Sequence, residues 1–401
     1  RYRARLGPVH ARRPLCLLGC ASSVASLVSA EYPSTKQLLR ESHAEHTLPT
    51  QVGNCLRRVE FARGALASCA SHTRFALLAF ALVQSPSSPV SILAVGTVAF
   101  DSIDTPFGSA ERVLGGSASY LTLAARPFCE DVRLVGVVGH DFPDEYRQVL
   151  AEGGVDLDGL EVDEDEKTFF WHGEYHYDMN ERDTLDTQLN ALASFEPDIP
   201  PSYRDSNIVC LGNLEPGIQR EVLAQADDPD FVIADTMNYW IENTPDSLRT
   251  TLSAVDCLVI NDAEARELAD EPNLVCAAGI IREMGPDILI IKKGEHGALL
   301  FTDGSVFSAP AYPLEDLQDP TGAGDAFAGG FAGHLHRTGS IDEEALRRAV
   351  IYGSVMASYV VQRYGPDRLL DIDPQSIAER SSAFRELAAI PQLVPLDTHP
   401  A

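Results

Sequence analysis

From residue 91 onward the chain alternates short, continuously apolar runs with stretches of helical pattern. No other feature narrows the possible folds as much. ILAVG (92–96), RLVGVVG (133–139), NIVCLG (207–212), FVIADT (231–236), CLVIN (257–261) and DILIIKKG (287–294) read as strands buried on both faces. Helical pattern covers 117–125, a capped stretch ending at Gly153 and Gly154, 216–226, 246–253, 262–271, 275–284, 323–337, 342–362 and 374–388. ALLFTDGSVFSAP predicts a hairpin around Asp303 and Gly304. The alternation predicts a three-layer α/β/α architecture, with a mostly parallel sheet and right-handed crossovers. Functional groups are then expected at the carboxyl ends of the strands. KTFFWHGEYHYDM (167–179) breaks the pattern and predicts a small β lid around 160–180.

Charge divides the chain. Residues 1–90 hold 11 Lys/Arg against 4 Glu and no Asp, and residues 91–401 hold 20 Lys/Arg against 55 Asp/Glu, so the overall −28 joins a +7 segment to a −35 one. The acidic part has only three lysines, Lys167, Lys292 and Lys293. Its charge argues against a nucleic-acid partner, because phosphate backbones need basic surfaces. A domain this acidic repels itself at low salt. Two settings suit it: a high-salt cell interior that screens the repulsion, or an ordinary cytosol.

Residues 1–90 carry fragments of signal-like pattern, Arg12-Arg13 before LCLLGC and Arg74 before FALLAFALV. The apolar run 75–83 is too short to span a bilayer. The segment is expected to be a disordered or non-native N-terminal extension, with 91–401 as the folded domain. The eight cysteines form no CxxC or zinc-finger spacing. Cys210 and Cys257 read as small buried hydrophobes in a reducing, cytoplasmic compartment, with no membrane partner.

The stretch with most chemical content is DPTGAGDAFAGG (319–330). Gly322, Ala323 and Gly324 lie just before a helix, so small side chains leave the backbone N–H groups free to converge. The helix start adds partial positive charge, and together these suit an anion hole for a transferring phosphoryl group. Asp325 at its edge can accept the proton of an attacking hydroxyl. A bare GxGD would be a glycine turn with an Asp cap. The chain has no GxxxxGK[ST], and Phe327 replaces the third Gly of GxGxxG, which excludes a P-loop and disfavours a dinucleotide loop.

DPTGAGDAFAGGF resembles the carboxyl-side signature of the ribokinase-like (PfkB-type) carbohydrate and nucleoside kinases. VGTVAFD (95–101), Gly115-Gly116, VGVVGHD (135–141), NDAE (261–264) and KKGEHGALL (292–300) resemble the family's other motifs in order. The resemblance covers about 91–390. It implies a ribokinase-like fold and transfer of the ATP γ-phosphoryl group to a hydroxymethyl group of a sugar or nucleoside. Asp325 would be the base, with the amides of Gly322, Ala323 and Gly324 as anion hole. Asn261 and Glu264 would organise phosphate and Mg²⁺, and Lys292, Gly294 and Gly297 would meet the nucleotide. Asp319 and Thr321 match positions that hold a monovalent cation such as K⁺ in some members. Asp101, Gly115 and Gly116 would bind the acceptor, and the helix around 349–357 would flank adenine. A homodimer through lid strands is a family habit.

Tyr120 departs from the pattern by standing where the family often has Asn, and offers an aromatic face to stack on a base or sugar. His172, Glu174 and His176 alternate on one lid strand, either as a metal site or as a polar lid face. Asp178 and Arg182 are near enough in sequence to meet substrate polar groups. Asn261 with Glu264 also reads as a helix capping box, and both roles can coexist. Three readings follow. The first is the kinase. The second is a catalytically weak nucleotide- or sugar-binding regulator, which the Tyr120 departure keeps open. The third, the hydroxymethylpyrimidine-kinase branch, fits the Gly-Gly motif and lid strand less well.

Overall fold

The computed structural model describes residues 91–391; the expectations placed on 1–90 lie outside the described residues. Strands and helices are numbered in chain order. Nine strands form the large sheet: β1 (Ile92–Val95), β4 (Val132–Gly139), β5 (Val155–Asp163), β8 (Ile208–Leu211), β9 (Phe231–Ala234), β10 (Cys257–Asn261), β11 (Ile288–Lys292), β12 (Ala298–Thr302) and β13 (Ser305–Ala309). Their order is β13-β12-β11-β10-β9-β8-β1-β4-β5. Pairing is parallel from β5 through β11, and antiparallel for β11–β12 and β12–β13.

The continuous apolar runs follow from this arrangement. Leu93, Val95, Val209, Leu211, Leu258, Ile260, Leu289 and Ile291 enter one core. Their alternates Ile92, Ala94, Ile208, Cys210, Cys257, Val259, Ile288 and Ile290 enter the other. With a period of two, a strand covered on both faces needs apolar residues at every position. The first core is closed by α3 (Pro216–Gln225), α5 (Pro245–Leu252), α6 (Asp262–Ala269) and α7 (Leu274–Arg282). The second is closed by α1 (Ser117–Ala125), α8 (Ala323–Thr338) and α9 (Glu343–Val360). Cys129, Cys210 and Cys257 are buried, as expected for the last two. Short α4 (Asn238–Asn243) and α10 (Asp367–Leu370), with α2 (Asp144–Glu152) and α11 (Pro374–Leu387), complete the fold.

A second sheet has the order β3-β2-β6-β7, from β2 (Ala99–Thr105), β3 (Gly108–Gly115), β6 (Phe170–Tyr175) and β7 (Arg182–Gln188). This departs from the expected lid at 160–180. Residues 160–163 belong to β5 of the large sheet, and two of the four small-sheet strands come from 99–115. β2 and β3 escaped sequence reading because their polar residues interrupt any apolar run. Phe100 and Leu114 of the small sheet enter a third core with Leu134, Val138, Val155 and Leu160, and a separate small cluster joins Ile103, Tyr175 and Met179, flanked by Val113, Trp171, Leu317 and Tyr364. Among the described residues no helix is long and apolar enough to cross a membrane.

Candidate active site

Because β1 and β8 to β11 run parallel, their carboxyl ends open on one edge of the large sheet. That edge carries Asp235 just beyond β9, Asn261 ending β10 and Lys292 ending β11. Asn261 and Lys292 are in register as neighbours. The start of α8 meets the same edge. Gly322 caps α8 with φ +75, a left-handed conformation that favours glycine. A Cβ there would also run into the ring of Tyr120, so the position excludes a side chain twice over.

The structure alters the expected anion hole in one respect. Ala323 N–H donates to Pro320 O at 3.2 Å, which closes the turn. No side chain caps α8. The N–H groups of Gly322 and Gly324 have no acceptor among the described residues and remain available to an anion. Lys292 Nζ reaches the same place and would lie 2.7 Å from a Cβ on Gly324.

Asp235, Glu264 and Asp325 all act on the charge of that ammonium. Lys292 Nζ stands 3.7 Å from Asp235 Oδ2. Burial pushes the Asp325 carboxyl up to about 7, the Asp235 charge adds to the rise, and Lys292 opposes it. Glu264 is likewise pushed up to about 7 by burial and by Asp235, against Lys292. Asp235 is raised by burial and held back by Lys292. Burial alone would lower Lys292, but Asp235, Glu264 and Asp325 outweigh it and hold the ammonium charged. Arg182, at the start of β7, is a second positive charge acting on Asp235, Glu264 and Asp325. Asn261 and Glu264 form the capping box of α6: Glu264 N–H donates to Asn261 Oδ1 and Asn261 N–H to Glu264 Oε2, both 2.8 Å. The cap therefore aims one Glu264 carboxylate edge and the Asn261 amide group from a fixed backbone.

A second acidic group lies beside the first. Asp101 on β2 is 5% exposed, packs against Gly115 and accepts the Gly116 N–H. Burial pushes it up to about 7, and the charges of Asp319 and Asp325 add to the rise. Asp319 is fully buried and raised by burial to about 6. Its Oδ1 accepts the Thr321 N–H at 2.8 Å, while its Oδ2 has no partner among the described residues. Thr321 Oγ1 donates to Tyr175 Oη at 3.1 Å, tying the end of β6 to the turn before α8.

Tyr120 is 1% exposed, its ring lies under Gly322, and its hydroxyl has no partner among the described residues. The expectation of an open stacking face is corrected: that face is already covered by the turn. Gly294 and Gly297 bracket the turn after β11, where Lys293 N–H donates to Gly297 O at 2.7 Å. The middle of α9 packs against α8, with Gly353 at the Phe327 backbone, and leaves Ile351, Ser354 and Ala357 half-buried. The three HxExH side chains do not converge. His172 Nε2 pairs with Asp104 Oδ2 at 2.8 Å and His176 Nε2 with Asp183 Oδ2 at 3.2 Å, while Glu174 is exposed. Among the described residues no three His, Cys, Asp or Glu are grouped to hold a metal.

Sequence reasoning missed Asp235. Its signal was in view, an Asp at the end of the apolar run FVIADT, but nothing in the spacing linked it to Lys292.

Comparison with known proteins places this fold among kinases. Residues 93–372 match the model of the pfkB family of carbohydrate kinases. A cytidine kinase of Thermococcus kodakarensis is 29% identical over 280 residues, 69% of this chain and 98% of that protein. The structure of a Burkholderia thailandensis nucleoside kinase in complex with inosine superposes with a TM-score of 0.62 at 24% identity, covering 74% of this chain and 98% of that one. A Cryptococcus neoformans ribokinase in complex with ADP gives a TM-score of 0.60 at 22% identity, covering 73% and 99%.

Proposed function

The chain belongs to the pfkB family of carbohydrate kinases, and from that premise we propose that it transfers the γ-phosphoryl group of ATP to a hydroxymethyl group of a nucleoside. A phosphotransferase acting on a sugar or nucleoside is what the family and its relatives share. The narrower choice of a nucleoside draws support from the cytidine kinase and from the neighbour that binds inosine.

The observation that carries the mechanism is Asp325, half-buried in the opening turn of α8, where it follows the Gly322 and Gly324 amides and feels the Lys292 charge. The acceptor hydroxyl gives its proton to the Asp325 carboxylate as its oxygen forms a bond to the γ-phosphorus. The bond between that phosphorus and the β,γ-bridging oxygen breaks, and ADP leaves with that electron pair. The two amides and Lys292 meet the charge on the transferring group. Arg182 approaches from the small sheet, which acts as a lid. Asp101 holds acceptor hydroxyls beside the Gly115-Gly116 turn. Three carboxylates facing Lys292 and Arg182 leave this centre short of positive charge, which fits a divalent cation entering with the phosphates. Glu264, Asn261 and Asp235 would hold Mg²⁺, which supplies charge neutralisation on the phosphates when bound. The partnerless Asp319 Oδ2, with Thr321, fits a monovalent cation such as K⁺. Gly294 and Gly297 let the turn after β11 approach the nucleotide. The domain would span 91–391 of the described chain, and a homodimer would pair edge strands of the lid.

The Tyr120 departure favours a regulator less once its ring lies beneath the turn. The test is a panel of cytidine, uridine, adenosine, inosine, ribose and fructose with ATP, Mg²⁺ and K⁺, at low and high salt. One nucleoside is expected to lead. Asp325→Asn is expected to keep the fold and lower turnover roughly 100- to 10,000-fold. Near-normal turnover in that variant would overturn the mechanism.

A further inference from the structure

We infer that Asn180 and Glu295 form a latch that couples the lid to the nucleotide turn, an inference that rests on the kinase reading above. Asn180 lies in the turn joining β6 to β7. The turn is fixed from within: Asp178 Oδ1 accepts the N–H groups of Asn180 and Glu181, both at 3.1 Å. His176 N–H donates to Glu181 O and Met179 N–H to His176 O, both at 3.0 Å. Met179 holds φ +61, unfavourable for a residue with a side chain. It is kept there because that side chain is buried with Ile103 and Tyr175, against Trp171 and Leu317.

The outer end of this turn reaches a segment distant in sequence. Asn180 Nδ2 donates to Glu295 Oε2 at 2.6 Å, in the turn that follows β11. The fit extends to the backbone. Gly294 has φ +53, and a Cβ on it would run into the Asn180 carboxamide. The bond holds the Glu295 carboxyl below its ordinary range. At the start of the same turn, Tyr175 Oη accepts from Thr321 Oγ1 in the loop that opens α8. The β6–β7 turn thus touches the phosphoryl-binding loop at one end and the nucleotide turn at the other. A nucleotide that orders 293–297 fixes Glu295, and Glu295 fixes Asn180. By thermodynamic reciprocity, an acceptor that draws the lid down strengthens nucleotide binding by the same factor. Asn180 and Glu295 are positioning residues, since neither side chain needs to touch a reacting atom.

The experiment uses the full chain, with ADP as the nucleotide probe and cytidine as the acceptor probe. ADP is expected to slow amide exchange across 174–188 in the parent protein. Asn180→Ala and Glu295→Ala are expected to remove that protection, and Glu295→Gln, which keeps an acceptor oxygen, to retain most of it. Where cytidine tightens ADP binding in calorimetry, each alanine variant is expected to reduce that gain roughly 3- to 10-fold. The double variant is expected to be no worse than either single one. ADP that binds while leaving lid exchange equally protected in parent and alanine variants overturns the latch and spares the kinase reading. Failure of the parent protein to bind ADP overturns both.

Discussion

Along β11 every residue from Ile288 to Ile291 is buried, whereas all seven residues of β7 are exposed. The two sheets that hold these strands are stabilised in different ways. The large sheet lies between two apolar cores, and its strands keep their places through burial on both faces. The small sheet is buried along β2, where Phe100 joins Leu114 of β3 in a core shared with β4 and β5, but its outer half has only the cluster of Ile103, Tyr175 and Met179 and polar pairs such as His172 with Asp104 and His176 with Asp183. Exposed pairs of this kind contribute little each, about 0–1 kcal/mol. Asp325, Lys292, Asp235 and Glu264 sit on the well-packed part. Arg182, Tyr175 and Asn180 arrive on the other. Under the proposed mechanism, a site assembled in this way would keep its charge-stabilising groups rigid and reserve motion for the part that admits and releases substrate.

The largest effect that sharpens this contrast is expected in the large-sheet cores. Phe331 on α8 is fully buried beneath the sheet. Phe331→Ala is expected to lower global stability by about 3–5 kcal/mol, read from the midpoint and slope of denaturant unfolding. A loss below about 1 kcal/mol would mean that the core repacks freely, and the contrast would fail on its rigid side.

The next effect comes from burying charge at the site. Asp325 is raised in the folded protein from 3.8 to about 7. The folded chain therefore binds more protons than the unfolded chain between those values. Stability is full near pH 4 and is lost as pH rises through about 7. Asp325→Asn lacks that loss. At pH 8 it is expected to be more stable than the parent by on the order of 1–3 kcal/mol, with the gap narrowing at pH 5. The same substitution would remove the proposed base, so stability and turnover are expected to move in opposite directions. A parent protein that is the more stable at pH 8 would show that the Lys292 pairing outweighs burial.

What the sequence made legible divides along the same line. ILAVG, CLVIN and ILIIK announce buried parallel strands because both of their faces are covered, and period alone shows it. Asn261 and Glu264 announce their cap, and Asp303-Gly304 its hairpin, because the partners are neighbours in the chain. The turn at 322–325 is legible because its chemistry is backbone chemistry, written in small residues. RDTLDTQ gives no such signal, since a strand exposed on all sides needs no apolar face. Asp235 beside Lys292, and Tyr120 beneath Gly322, depend on which distant segments the crossovers bring together. Periodicity shows which face a residue takes, but not what lies over that face.

The smallest effect falls on the lid. Met179 is one of the three buried residues of the small cluster with Ile103 and Tyr175, and it holds the β6–β7 turn in place despite a left-handed backbone. Met179→Ala keeps the backbone but removes most of that anchor. If the lid opens separately from the core, the loss appears in local opening rather than in global unfolding. The denaturant midpoint is then expected to move by about 0.5 kcal/mol or less. Amide exchange across 170–188 is expected to speed up roughly 10-fold, a difference of about 1.4 kcal/mol in local opening. The acceptor KM should rise while the KM for ATP changes less, because Lys292 and the turn at 322–324 stay on the large sheet. Equal loss of stability in Met179→Ala and Phe331→Ala would instead show that the two sheets unfold as one cooperative unit. The lid would then be a rigid wall, and acceptor exchange would need a motion elsewhere in the fold.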